Sequence, residues 1–133
     1  MNPVDIRDAG DIERAVTAFA HSLNGGLIVP GSGLATVHRE LIIRLAARHK
    51  LPAVYSARYF VTGGGLISYG ADLINPHRLA AGYVDRILKG EKPADLPVIQ
   101  STKFEFVINL NTARAFGLNF PPGLLAIADE VIE

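Results

Sequence analysis

Through the first two-thirds of this chain, short apolar runs alternate with stretches of helical periodicity, and that alternation leaves few architectures open. It is the pattern of βαβ units built around a mainly parallel sheet. Val4-Asp5-Ile6 reads as a weak opening strand, and Leu27-Ile28-Val29 as a continuous apolar run short enough to be a buried one. Ala53-Val54-Tyr55 and Leu66-Ile67-Ser68-Tyr69 read as the next two.

The helical stretches carry their own punctuation. Asp8 or Asp11 can cap a first helix whose apolar face is Ile12, Val16, Phe19 and Leu23, stopping at Asn24-Gly25-Gly26. A second follows Gly31-Ser32-Gly33, with Val37, Leu41, Ile42, Leu45 and Ala46 on one face. Arg48, His49 and Lys50 fill its last turn, the charge sign favoured at a helix C-terminus, and Leu51-Pro52 ends it. A third has Asn75 as cap, Pro76 at the first helical position and Gly90 past the end. Its face is Leu79, Ala80, Tyr83, Val84, Ile87 and Leu88.

In the last third, Phe104, Phe106, Ile108 and Leu110 alternate with Glu105, Val107 and Asn109, as in a strand with one strongly buried face. Asn111-Thr112 can cap a short helix ending at Gly117. Pro121-Pro122-Gly123 opens a final helix through Leu124, Leu125, Ala128 and Val131.

A length of 133 residues with 49% hydrophobic content suits one compact domain with a proper core. Thirteen basic and thirteen acidic residues cancel, so no excess positive charge exists to neutralise a phosphate backbone, and nucleic acid is not expected as a partner. Absence of cysteine excludes disulfides and thiolate metal sites but does not indicate a compartment. Residues 1–8 show no basic region followed by an apolar run, so the chain as written would stay in the cytoplasm.

Open α/β sheets place ligands at the C-terminal ends of strands, beside free helix N–H groups. Gly31-Ser32-Gly33 stands at such a place, either contacting a ligand or forming a plain turn; it matches neither G-x-G-x-x-G nor the P-loop pattern. Ser56, Arg58 and Tyr59 follow directly on a strand. An arginine with tyrosines suits a small ligand having a carboxylate and a flat apolar part, though Arg58 reads equally as a solvated surface residue. His21, His38, His49 and His77 have no partner at metal-ligand spacing, and helix capping explains Asp8 and Asp11 more simply than an acidic pocket does. No nucleophile elbow or reactive cysteine gives catalysis a starting point, so no enzyme activity, metal or cofactor is expected.

Three blocks carry a resemblance: Gly-Gly-Gly-Leu-Ile-Ser-Tyr-Gly at residues 63–70, Lys-Gly-Glu-Lys-Pro-Ala-Asp-Leu-Pro at 89–97, and Lys-Phe-Glu-Phe-Val-Ile-Asn-Leu at 103–110. With Ala46 to Tyr55 upstream, the chain resembles the C-terminal portion of the periplasmic substrate-binding proteins of ABC transporters, of the tryptophan/tyrosine type. The resemblance implies one lobe of a two-lobed clamp with the type I periplasmic-binding fold, an α/β three-layer sandwich, and about half the clamp missing. It also implies a periplasmic location, which conflicts with the missing export signal; a shortened chain or a reused gene would resolve the conflict.

On the resemblance, residues 1–65 and 101–133 would form the C-terminal lobe, and 66–100 a crossover and helix belonging to the other lobe. Gly63-Gly64-Gly65 would then be a hinge, and Tyr69 and Asp72, at the crossover, would line the cleft with Ser56, Arg58 and Tyr59. The expected function is binding of a small organic molecule, an amino acid or aromatic compound, by lobe closure and without catalysis. An ABC permease would be the partner of a full-length protein. The alternatives are a self-associating module derived from such a lobe and, third, a flavodoxin-like enzyme domain. The apolar face of the third helix lacks the lobe it would pack on, and with a mean hydropathy of +0.25 a homodimer is expected.

Overall fold

The computed structural model describes residues 3–20, 25–99 and 103–133, so the expectations for His21, Leu23 and Asn24 lie outside the described residues. Two compact units result: residues 1–70 with 105–133, and residues 71–104.

The first unit is built on a five-stranded, mainly parallel sheet in the order β1-β2-β3-β4-β5. Its strands are β1 (Leu27–Val29), β2 (Ala53–Tyr55), β3 (Ile67–Ala71), β4 (Phe104–Asn109) and β5 (Glu130–Ile132). β1 pairs with β2, β2 with β3 and β4 with β5, all in parallel. Asn109 N–H donates to the Leu66 carbonyl and Tyr69 meets Phe106 edge-on, so the end of β3 lies beside the beginning of β4. Residues 3–6 join no strand, and Val4-Asp5-Ile6 is therefore irregular rather than the expected opening strand. A strand needs a neighbour to satisfy its backbone, and the sheet ends at β1.

Helix α1 (Ala9–Phe19) starts where Asp8 accepts the Asp11 N–H at 2.8 Å, and it buries Ile12 and Val16. The single second helix expected over 33–50 is two: α2 (Gly33–Val37) and α3 (Arg39–Arg48), broken at His38. The break turns Val37 out to solvent, 73% exposed, while Ile42, Ile43, Leu45 and Ala46 of α3 enter the core. The short helix α4 (Arg58–Thr62), which sequence periodicity did not show, packs Phe60 flat against Tyr55 at 4.8 Å between ring centroids. These helices cover the face of β2 that carries Ala53 and Tyr55. On the other face Ile28 and Val54, side by side in the register, are 65% and 39% exposed.

The glycine run read as a hinge lies inside this unit and turns α4 into β3. Gly64 has φ +107°, and a Cβ on Gly65 would come within 2.6 Å of the Tyr55 ring and 2.8 Å of the Phe60 carbonyl. Positive φ and close approach, rather than flexibility, explain these glycines. Helix α6 (Leu110–Phe116) is capped by Asn109, not by Asn111-Thr112, and ends as expected at Gly117 with φ +74°. The last helix, α7 (Pro122–Ala126), stops before Val131, which belongs to β5.

In the second unit α5 (Ile74–Leu88) begins one residue before the expected cap. Asp72 does the capping, its Oδ1 accepting the N–H groups of Ile74 and Asn75 at 2.7 and 3.3 Å. Asp72 also pairs with Lys103 at 3.0 Å, and its N–H donates to the Lys103 carbonyl. Tyr83 O–H donates to the Pro97 carbonyl and Arg86 holds Glu91, so the stretch after α5 folds back onto that helix. None of the α5 residues is buried.

Candidate functional site

Parallel strands deliver the residues after their C-terminal ends to one edge of the sheet, which is why sequence-distant loops meet in this class. The loops after β1 and β2 meet here. A Cβ on Gly31 would touch Ser56 Oγ at 3.4 Å, and one on Gly70, at the end of β3, would strike the Ser56 carbonyl oxygen at 1.9 Å. Three strand ends thus converge on Ser56, and the contact at Gly70 requires the absence of a side chain.

Each loop starts a helix. Ser32 is the cap of α2, its Oγ accepting the Ala35 N–H at 3.1 Å, while Gly33 faces open space, with no atom within 4 Å of where a Cβ would stand. Ala57, in extended conformation, leads into α4 without a side-chain cap. Tyr59 O–H and Thr36 Oγ1, 3.0 Å apart, tie α4 to α2. Helix N-termini carry partial positive charge and unpaired N–H groups, so this edge offers donors to a carboxylate.

Arg58 does something that its sequence context did not suggest. Its Nη1 donates to Glu105 Oε1 and its Nη2 to Glu130 Oε2, both at 2.7 Å, so the guanidinium is forked between two carboxylates. Charge-assisted bonds of this length are among the stronger polar contacts. The fork ties the start of α4 to the first residues of β4 and β5, and the cluster is net negative, one arginine against two glutamates. Glu105 and Glu130 lie 47 and 72 residues away in sequence, and no local pattern pairs residues over such separations. Glu105 stood only as the polar step of an alternating strand.

Of the seven residues considered as ligand contacts, Ser32, Gly33, Ser56, Arg58 and Tyr59 lie on the first unit's strand-end edge. Tyr69 lies beside them next to Gly70, 60% exposed with its ring edge-on to Phe106. Asp72 belongs to the second unit, where its carboxylate is taken up by the α5 cap and by Lys103. The Ile74 N–H first, and then Lys103, hold its carboxyl below the usual carboxylate range. Deeper in the unit, burial pushes the Tyr55 hydroxyl up to about 12. Among the described residues no three His, Asp or Glu side chains converge as a metal would require, and no helix is long and apolar enough to cross a membrane.

The sequence matches the family of ABC transporter substrate binding proteins over residues 1–132. A tyrosine-binding protein of Clostridioides difficile is 23% identical over 113 residues, which cover 85% of this chain and 32% of that protein. The ABC domain of Streptococcus pneumoniae crystallised in complex with L-Trp is 26% identical with a TM-score of 0.83, over 98% of this chain and 45% of that one. A conserved domain protein from Vibrio cholerae is also 26% identical, with a TM-score of 0.78, over 93% and 42% of the two chains. This chain spans about a third to under half the length of these relatives.

Proposed function

The chain belongs to the family of ABC transporter substrate binding proteins, and from that membership we propose that its first unit is one ligand-binding lobe of a two-lobed clamp. The ligand is a small organic molecule, an amino acid or aromatic compound, that is held and released without chemical conversion. The observation that carries the reading is the convergence of Gly31, Ser56 and Gly70 at one sheet edge, next to two helix starts. That edge offers N–H donors to a carboxylate, and the half-buried ring of Tyr59 and the exposed ring of Tyr69 offer a flat apolar surface. A relative that binds tyrosine and a structural neighbour holding L-Trp support the ligand class.

Ser32, Gly33, Ser56, Tyr59 and Tyr69 are the contacts proposed on this lobe. Arg58 acts by positioning, since both its Nη atoms are engaged by glutamates. The second unit is proposed to pack on the other lobe of a longer protein, one that works outside the cytoplasm beside an ABC permease. Without such a lobe, α5, none of whose residues is buried, favours a homodimer.

Isothermal calorimetry of the chain with L-tryptophan, L-tyrosine and a panel of other amino acids tests the reading, with sedimentation on the same sample giving the oligomeric state. Saturable binding of at least one aromatic amino acid, recovered unaltered, by a dimer is expected. No heat with any member, or conversion of a ligand, would count against a binding role; a monomer would remove the dimer.

A further inference from the structure

Thr36 lies in the first turns of α2, and its hydroxyl makes the bond a helical threonine commonly makes: Oγ1 donates to the carbonyl four residues back, that of Ser32, at 2.9 Å. A carbonyl has no proton to give, so this bond uses the single one that Thr36 Oγ1 carries. Tyr59 Oη lies 3.0 Å from the same oxygen. The proton in that second contact must therefore come from the phenol, and Tyr59 donates to Thr36 rather than the reverse. Stacking on Phe60, 5.0 Å between ring centroids, holds the Tyr59 ring in place for it. What Tyr59 Oη has left to offer is acceptor capacity alone. Ser32 keeps the opposite remainder, because its Oγ accepts the Ala35 N–H at 3.1 Å and retains its own proton. Next to Tyr59 in the chain, Arg58 faces Glu105 and Glu130, one positive charge against two negative ones.

We propose that Thr36 is a positioning residue that sets the polarity of the candidate site: by taking the Tyr59 proton it makes the phenol oxygen an acceptor for the ammonium group of an α-amino acid, while Ser32 Oγ keeps a proton for the carboxylate. The inference rests on the ligand reading above and adds a requirement to it. An aromatic carboxylate without an ammonium group is discriminated against, because it leaves the Tyr59 oxygen without a donor. Two observations of separate origin agree in sign. The hydroxyl chain leaves a lone pair on Tyr59, and the Arg58 cluster leaves one net negative charge beside it; both favour a cation over an anion at the start of α4. A phenol free to turn its proton would not sort ligands in this way, since it can donate to a carboxylate or accept from an ammonium. Thr36 thus acts through Tyr59, with no need to touch the ligand.

Calorimetry with L-tryptophan and with indole-3-propionate, which lacks only the ammonium group, tests the assignment on the intact chain and on Thr36→Val, Thr36→Ser and Tyr59→Phe. The unsubstituted chain should prefer L-tryptophan by about tenfold or more, the effect of one charge-assisted hydrogen bond. Thr36→Val keeps nearly the same shape but releases the Tyr59 proton, and should lower that preference by about tenfold. Thr36→Ser retains the hydroxyl and should retain the preference. Tyr59→Phe should lower it as Thr36→Val does, and combining the two should lower it no further, as is required if Thr36 acts through Tyr59. L-Phenylalanine, which has no donor on its ring, should lose affinity on Thr36→Val as L-tryptophan does. A preference unmoved by Thr36→Val, or lowered equally by Thr36→Ser, would overturn the assignment. So would a loss confined to L-tryptophan, which would give the Tyr59 oxygen to the indole N–H. Binding of none of these compounds by the unsubstituted chain defeats the ligand reading and this one with it, whereas saturable binding with an unmoved preference defeats this one alone.

Discussion

Arg58 shows how a residue chosen for the right neighbourhood can have a different occupation. Its type and position after β2 were legible, but its partners were not, because Glu105 and Glu130 reach it only once β4 and β5 are laid beside β3. Arg58→Ala should leave two carboxylates facing each other without a counter-charge and lower stability to denaturant by about 1 kcal/mol, the upper end for partly exposed pairs. Arg58→Lys should recover only part of it, since an ammonium cannot fork. A wild-type unfolding curve for Arg58→Ala would show that the fork carries nothing. Asp72 gives a second test, through pH. Its carboxyl is held below its ordinary value by the Ile74 N–H and then by Lys103, so its contribution is present above the unfolded carboxylate range and is lost as pH falls through the lower folded value. Amide exchange at Ile74 and Asn75, corrected for intrinsic rates, should lose protection below about pH 4, and Asp72→Asn should remove much of that dependence. Protection unchanged in acid would mean that the cap is not held by the ionised carboxylate.

Among the elements, the ones that announced themselves were those whose signals are local. Asp8 before α1, the apolar faces of α1 and α3, and Gly117 after α6 were all readable, since capping and amphipathic spacing act within a few residues. α4 and β5 were not. α4 has a single turn's worth of residues, too few for a period to show, and β5 gains its identity from the ladder with β4. Gly63-Gly64-Gly65 shows a related limit: glycine is legible, but whether it permits motion or close packing depends on what lies opposite, at Gly65 the Tyr55 ring and the Phe60 carbonyl. Gly70 makes the same point at the candidate site. A methyl group there would enter the Ser56 carbonyl, so Gly70→Ala should push β3 from β2 and cost about 1–3 kcal/mol, the range for overpacking. Gly33→Ala meets nothing and should be near neutral in the same denaturation assay. Equal effects from the two would contradict the convergence of the three strand ends.

For the whole molecule, the α/β class and the mainly parallel sheet follow from the alternation of apolar runs and helical stretches, and family membership follows from the match over residues 1–132. The division into units was less legible, because the chain leaves the first unit at Gly70 and rejoins it at Glu105, within β3 and β4 rather than in a glycine-rich linker. Ligand binding at the edge where β1, β2 and β3 end is the central claim, and amide chemical-shift mapping during titration with L-tryptophan and L-tyrosine tests it most directly. Saturable shifts concentrated at Ser32, Gly33, Ser56, Tyr59 and Tyr69, with the amides of α6 and α7 unmoved, are the predicted result. Shifts centred on α6 and α7, or none at millimolar ligand, would contradict it.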